Sequence, residues 1–179
     1  MCSPGPGARR AVRPRGIGVL VLVLVAGLLV LTWSAVRTVR AAPARAPDFH
    51  LPLLNGGTVA LADFRGRPLI LMFWAPWCPT CNADVRGWQR AYGEAKARGV
   101  AMLGVGLLDN RQACAAFIRT YHLSFPNAYD ADGRVAKAYG FTYQPYWAVI
   151  SRTGVLLRTG YIAGGETELR RTIEVLAAQ

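Results

Sequence analysis

Two cysteines three positions apart, Cys78-Pro79-Thr80-Cys81, stand where an almost wholly apolar run (RPLILMFWA, residues 67–75) gives way to helical spacing at Val85, Trp88, Tyr92 and Ala95. An uninterrupted apolar strand is buried on both faces, so it needs covering layers on both sides. A strand of that kind feeding directly into a helix commits the chain to an α/β arrangement.

The rest of the chain fits that frame. DFHLPLLNGGTVALADF, residues 48–64, holds two short apolar runs around Asn-Gly-Gly, which predicts an N-terminal hairpin. GVAMLGVGLLD (99–109) predicts a second buried strand, and its Gly-Val-Gly is too short a pattern to support a nucleotide site. Cys114, Phe117, Ile118 and Tyr121 recur at helical intervals, and residues 135–139 suit a short helix. Residues 146–150 and 155–160 predict a hairpin of strands around SRTG, followed by a last helix from Gly165-Glu166. The expectation is a mixed central sheet flanked by helices, spanning residues 47–179.

The position of the two thiols carries their chemistry. A cysteine at a helix N-terminus faces unpaired amides and the positive end of the helix dipole, which favour a thiolate. The thiolate is the species that attacks a disulfide. Cys81, one turn deeper, is placed to resolve the mixed disulfide, and Pro79 has no amide hydrogen to lose in the first turn. The reading makes Cys78 the exposed nucleophile and Cys81 the more buried resolving thiol. Two plainer readings compete. A zinc site needs further paired ligands, and Cys114, His50 and His122 show no such spacing, so no metal is expected. A purely structural disulfide across three residues closes almost no loop and contributes little by chain entropy.

The net charge of +11 is uneven. Residues 1–48 hold seven arginines and one acid, Asp48, which leaves 14 bases and 9 acids beyond them. The later bases look scattered, with no aromatic-interleaved stripe, so nucleic-acid binding is not expected. Residues 1–15 form a basic tail, and residues 16–33, GIGVLVLVLVAGLLVLTW, are long and apolar enough for one transmembrane helix. A signal segment cleaved near residues 42–44 is the alternative. Residues 34–46 then read as a tether. Either reading places the domain outside the cytosol: held at the membrane by residues 16–33, or secreted if that segment is removed.

LILMFWAPWCPTC resembles the active-site strand and helix start of the thioredoxin superfamily. With DFRGRPLILMFWAPWCPTC and VAKAYGFTYQPYWAVISRTG, the chain is similar to its TlpA/ResA-like and DsbE/DsbF-like membrane-anchored thiol–disulfide oxidoreductases. The resemblance implies a thioredoxin-like fold and a redox-active disulfide, Cys78–Cys81, with no other cofactor. It implies a cis peptide before Pro145, with Gln144 offering backbone groups to substrate; a trans proline opening an edge strand is the alternative. It implies that Asp84, three residues past Cys81, exchanges protons with the dithiol, against the simpler reading of a solvated acid at a helix start. Met72 stands where thioredoxins proper place a buried carboxylate. Trp77, Pro79, Thr80, Gln144 and Tyr146 are the expected substrate contacts, with Tyr146 and Trp147 making the rim more aromatic than the family pattern. The implied partners are proteins bearing thiols or disulfides and a membrane redox protein that recharges the dithiol. An oxidant for exported proteins is favoured over a reductant for cytochrome c maturation. A redox-inert tethered binding module is the reading from a different class.

Overall fold

The computed structural model describes residues 44–161 and 165–178 of the chain. The expected membrane segment, residues 16–33, lies outside them; among the described residues no helix is long and apolar enough to cross a membrane.

Strands β1 (His50–Pro52) and β2 (Thr58–Ala60) pair antiparallel around the Asn-Gly-Gly turn. Gly56 and Gly57 both take positive φ there, 103° and 77°, which glycine adopts without a Cβ clash. A single 3-10 turn, Leu61–Phe64, leads into β3 (Leu69–Trp74). Then follow α1 (Pro79–Ala97), β4 (Ala101–Gly106), α2 (Arg111–Thr120), β5 (Asn127–Tyr129), α3 (Arg134–Ala138), β6 (Tyr146–Ile150), β7 (Leu156–Tyr161) and α4 (Gly165–Ala177). The main sheet runs β5-β4-β3-β6-β7. Strands β3, β4 and β5 are parallel; β6 runs antiparallel to β3, and β7 antiparallel to β6. This is the mixed, helix-flanked sheet with an N-terminal hairpin that the sequence leads one to expect. Strand β5 was not anticipated.

Alternation along β3 builds two cores from one strand. All six of its residues are fully buried. Ile70, Met72 and Trp74 point to the face covered by α1, α2 and α4, where they meet Val85, Trp88, Cys114, Phe117, Leu169 and Ile173. Leu69, Leu71 and Phe73 point to the opposite face, covered by the β1–β2 hairpin and α3 through Leu51, Val59, Ala136 and Tyr139. A one-residue slip of β3 would exchange these sets, so the packing of both cores pins the register.

The glycines of β4 serve packing. A Cβ at Gly104 would collide with the Asn127 side-chain oxygen and come within 2.9 Å of the Trp74 indole nitrogen. The space they leave admits the Trp74 indole, which donates to Asn127 Oδ1 at 3.1 Å and stacks on Phe117 at 4.6 Å between centroids.

Candidate active site at the end of the central strand

Strand β3 ends at Trp74, and residues 75–77 turn the chain into α1 at the carboxyl end of the parallel strands, where α/β sheets commonly open their sites. Cys78 is the N-cap, with extended backbone (φ −72°, ψ 116°), and Pro79 opens the helix. The Cys81 backbone N–H donates to Cys78 Sγ at 3.0 Å, so sulfur takes the place of the usual capping oxygen. Cys78 and Cys81 are joined as a disulfide with Cα atoms 5.2 Å apart.

Asn82 staples this turn. Its side-chain amide donates to the carbonyls of Pro76 (2.9 Å) and Cys78 (2.8 Å), while its oxygen accepts from the Tyr121 hydroxyl at 2.7 Å. Sequence reasoning missed both residues. The available signal was an asparagine in a first helical turn, a type that competes for nearby backbone groups.

The expectation of an exposed Cys78 needs correction. Cys78 is only 2% exposed, against 0% for Cys81. Its sulfur lies under the neighbouring loop, 3.9 Å from the Gln144 carbonyl oxygen. The Gln144–Pro145 peptide bond is cis. Phe73 pairs with Tyr146 in the β3–β6 ladder, so sheet register brings Pro145 alongside the end of β3. Pro145 is buried, Gln144 half-buried, and Pro79 and Thr80 are exposed.

The aromatic rim also differs from expectation. Tyr146 and Trp147 are both buried. Tyr146 turns into the hairpin-side core, packs edge-on against Phe141 at 5.7 Å, and donates its hydroxyl to the Tyr139 carbonyl at 3.2 Å. Trp147, next along the strand, faces the helix side. The exposed rim comes instead from Trp77, Leu108, Tyr143 and Tyr161. Trp77 donates its indole N–H to the Leu108 carbonyl at 2.9 Å. Leu108 has φ 58°, a left-handed conformation that a branched side chain seldom adopts. Tyr143 and Tyr161 lie against each other with centroids 5.1 Å apart.

Asp84, on the second turn of α1, is half-buried, and burial raises its carboxyl above the ordinary value. A Cβ at Gly165 would come within 2.8 Å of Asp84 Oδ1, so the start of α4 lies directly against this carboxyl. Three residues along, Gly87 makes room for Glu166, which is bonded by Arg90 and Arg170; Arg170 also pairs with Glu94. These ions clamp α4 to α1. Hydrogen bonds from Arg90 and Arg170 hold the Glu166 carboxyl down to about 2. Met72 is fully buried in the core that also contains Cys78 and Cys81.

His50 and His122 are exposed. Cys114 is buried against Gly106, and burial, then the Asp109 charge, push its thiol up to about 11. Among the described residues no group of three or more His, Cys, Asp or Glu side chains is placed to hold a metal. The site therefore offers a disulfide whose outer sulfur accepts from one helix amide, a carbonyl beside that sulfur, and a half-buried carboxyl three residues past the inner cysteine.

The AhpC/TSA family profile matches residues 43–171. The thiol-disulfide oxidoreductase ResA of Bacillus thuringiensis subsp. konkukian is 30% identical over 69% of this chain and 70% of its own length. The soluble secreted antigen MPT53 of Mycobacterium tuberculosis is 33% identical over 69% of this chain and 71% of its own. A solved structure of a secreted Mycobacterium tuberculosis disulfide oxidoreductase homologous to E. coli DsbE superposes with TM-score 0.65. It is 27% identical and covers 72% of this chain and 96% of that one.

Proposed function

This chain belongs to the AhpC/TSA family, among thiol-disulfide oxidoreductases, and from that premise we propose that it oxidises dithiols of exported proteins through Cys78–Cys81. The observation that carries this reading is the 3.0 Å bond from the Cys81 amide to Cys78 Sγ at the mouth of α1. That amide and the helix dipole stabilise negative charge on the outer sulfur more than on the inner one, making Cys78 the better leaving group. The peroxide-reducing pattern Pro-x-x-x-Thr/Ser-x-x-Cys fits neither cysteine, since Ala75 and Cys78 occupy the hydroxyl position.

A substrate thiolate attacks Cys78 Sγ; the Cys78–Cys81 bond breaks, and Cys81 leaves as a thiolate. Asp84, one turn beyond Cys81 and with its carboxyl pKa raised by burial, supplies the proton that neutralises Cys81. A second substrate thiolate attacks the sulfur joined to Cys78, and Cys78 departs as a thiolate held by the helix amides. The substrate ends with one disulfide and the enzyme with two reduced cysteines; two electrons have moved, and a membrane redox partner removes them. Gln144 and Pro145 present backbone to the substrate chain beside Cys78. Trp77, Pro79 and Thr80 border it, and Leu108, Tyr143 and Tyr161 add apolar contact for a chain with large side chains near its cysteine. The domain works outside the cytosol, anchored by residues 16–33.

Two measurements test this. Wild type should catalyse insulin disulfide exchange and Cys78→Ser should not; equal, negligible turnover in both would mean an inert binding module. The reduction potential of the Cys78–Cys81 couple gives the direction. A value near about −120 mV fits an oxidant, whereas one near about −270 mV overturns the oxidant reading in favour of a reductant.

A further inference from the structure

At the end of β3 opposite the dithiol, the fold gathers four arginines that are far apart in sequence. Arg45, Arg65, Arg67 and Arg152 line a cavity of about 580 Å³, in which Asp48 is the only acid among the described residues. The reading of the bases as scattered is corrected here: three separate segments return to one place. Backbone bonds hold those segments together. Gly66 N–H donates to the Arg152 carbonyl at 3.1 Å, and Ala46 N–H to the Gly154 carbonyl at 2.9 Å. Leu69 and Ile150, directly paired across β3 and β6, lie at the cavity floor.

The charge in this cavity is not compensated locally. All four arginine side chains are exposed. Among the described residues none of them forms an ion pair, nor does Asp48. Among the described residues their only side-chain hydrogen bond is from Arg67 to the Asp63 carbonyl, at 3.4 Å. Four guanidinium groups against one carboxylate make a concave positive field, which concentrates anions. Planar guanidinium forks match the oxygens of a phosphate in particular.

Arg45 bears on where such a phosphate would come from. It lines the cavity, and only residues 34–44 separate it in sequence from the apolar run 16–33. Even fully extended, that segment reaches no more than about 40 Å. Resting on the reading of residues 16–33 as a membrane anchor, we propose that the cavity binds the phosphate headgroup of an anionic lipid and seats this end of the domain on the bilayer. The six residues of β3 span about 17–20 Å, so a domain seated this way presents its dithiol away from the lipid, toward soluble substrates.

The test uses the full chain in nanodiscs of phosphatidylcholine alone or mixed with phosphatidylglycerol, read by amide hydrogen exchange. Phosphatidylglycerol should slow exchange in residues 45–48, 61–69 and 150–154 and leave the 76–82 turn unchanged. The R65Q/R67Q/R152Q variant should lose that protection, with an apparent lipid affinity at least about tenfold weaker, while keeping wild-type amide exchange in the 76–82 turn and along β4 as proof of folding. Equal exchange in both kinds of disc, or protection that survives the triple substitution, overturns the proposal. Protection of the same segments by inorganic phosphate in pure phosphatidylcholine discs, as strong as that by the lipid, makes this a free-anion site and overturns the lipid source. If the chain does not stay with the discs, the anchor reading fails by itself. Flotation of the free chain with vesicles then decides: phosphatidylglycerol-dependent binding lost in the triple variant upholds the cavity, and its absence overturns it. Inactivity in the insulin assay would remove the proposed activity without touching these outcomes.

Discussion

Replacing Asn82 by alanine should loosen the turn that presents Cys78. The substitution removes two donated bonds, to the Pro76 and Cys78 carbonyls at 2.9 and 2.8 Å, and one accepted from the Tyr121 hydroxyl at 2.7 Å. At a net value of about 1 kcal/mol per bond, the simple sum is about 3 kcal/mol. The loss should be smaller, because the Cys78 carbonyl keeps its bond from the Asn82 backbone amide at 3.0 Å. Asn82 and Tyr121 are also only half-buried, so water can reach the freed groups. We therefore expect about 2 kcal/mol, or about 6–10 °C in Tm for a domain of this size. Urea and thermal unfolding of the disulfide form give the number. Thiolate absorbance of the reduced protein against pH should show Cys78 ionising at higher pH than in wild type, because its capping turn is less fixed. Tyr121→Phe should cost about 1 kcal/mol, and the double variant should fall short of the sum by about that amount, since the two residues share one bond. A loss under about 0.5 kcal/mol with an unchanged thiolate titration would refute the stapling role.

Three further outcomes follow from the titrating groups. Burial raises the Asp84 carboxyl, so its ionisation opposes folding: the native state is favoured at low pH and loses that advantage as pH rises through the raised value. Asp84→Asn should thus stabilise the protein at neutral pH, with the gain vanishing below the ordinary carboxylate range, and should slow insulin turnover; a stability difference independent of pH would contradict this. Glu166 is shifted the other way, to about 2, so its contribution is present above the ordinary carboxylate value and lost as pH falls toward 2. Acid titration of Glu166→Gln against wild type should show the two curves converging in that window, and added salt should narrow the gap at neutral pH. Cys114, its thiol pushed up to about 11, should resist iodoacetamide at pH 8 in the folded, reduced protein while Cys78 reacts. Peptide mass spectrometry reads this directly, and rapid labelling of Cys114 in the native state would place it outside the core.

What could be read from the residues, and what could not, divides by the range of the interactions involved. The capped helix at Cys78 and the doubly buried β3 depend on neighbours within a few positions, and both stand where periodicity and residue type put them. Strand β5 escaped notice because its three residues carry no pattern of their own; the parallel ladder to β4 makes them a strand. The rim was misread for a related reason. Tyr146 and Trp147 follow Pro145 directly, but strand alternation sends them into opposite cores, and the exposed rings come from Tyr143 before the proline and Tyr161 on the neighbouring strand. The arginine cavity is invisible along the sequence because it is closed by three segments that meet only in the folded chain.

The pairing of Phe73 with Tyr146 has a consequence for biogenesis. Both sulfurs leave the ribosome some sixty residues before the loop that covers the outer one. During that interval the nascent chain carries both cysteines without the Gln144–Pro145 loop beside them. On the proposed function, the backbone that Gln144 and Pro145 would offer a substrate is thus a late acquisition of this polypeptide, and truncation before β6 should leave the two cysteines without it.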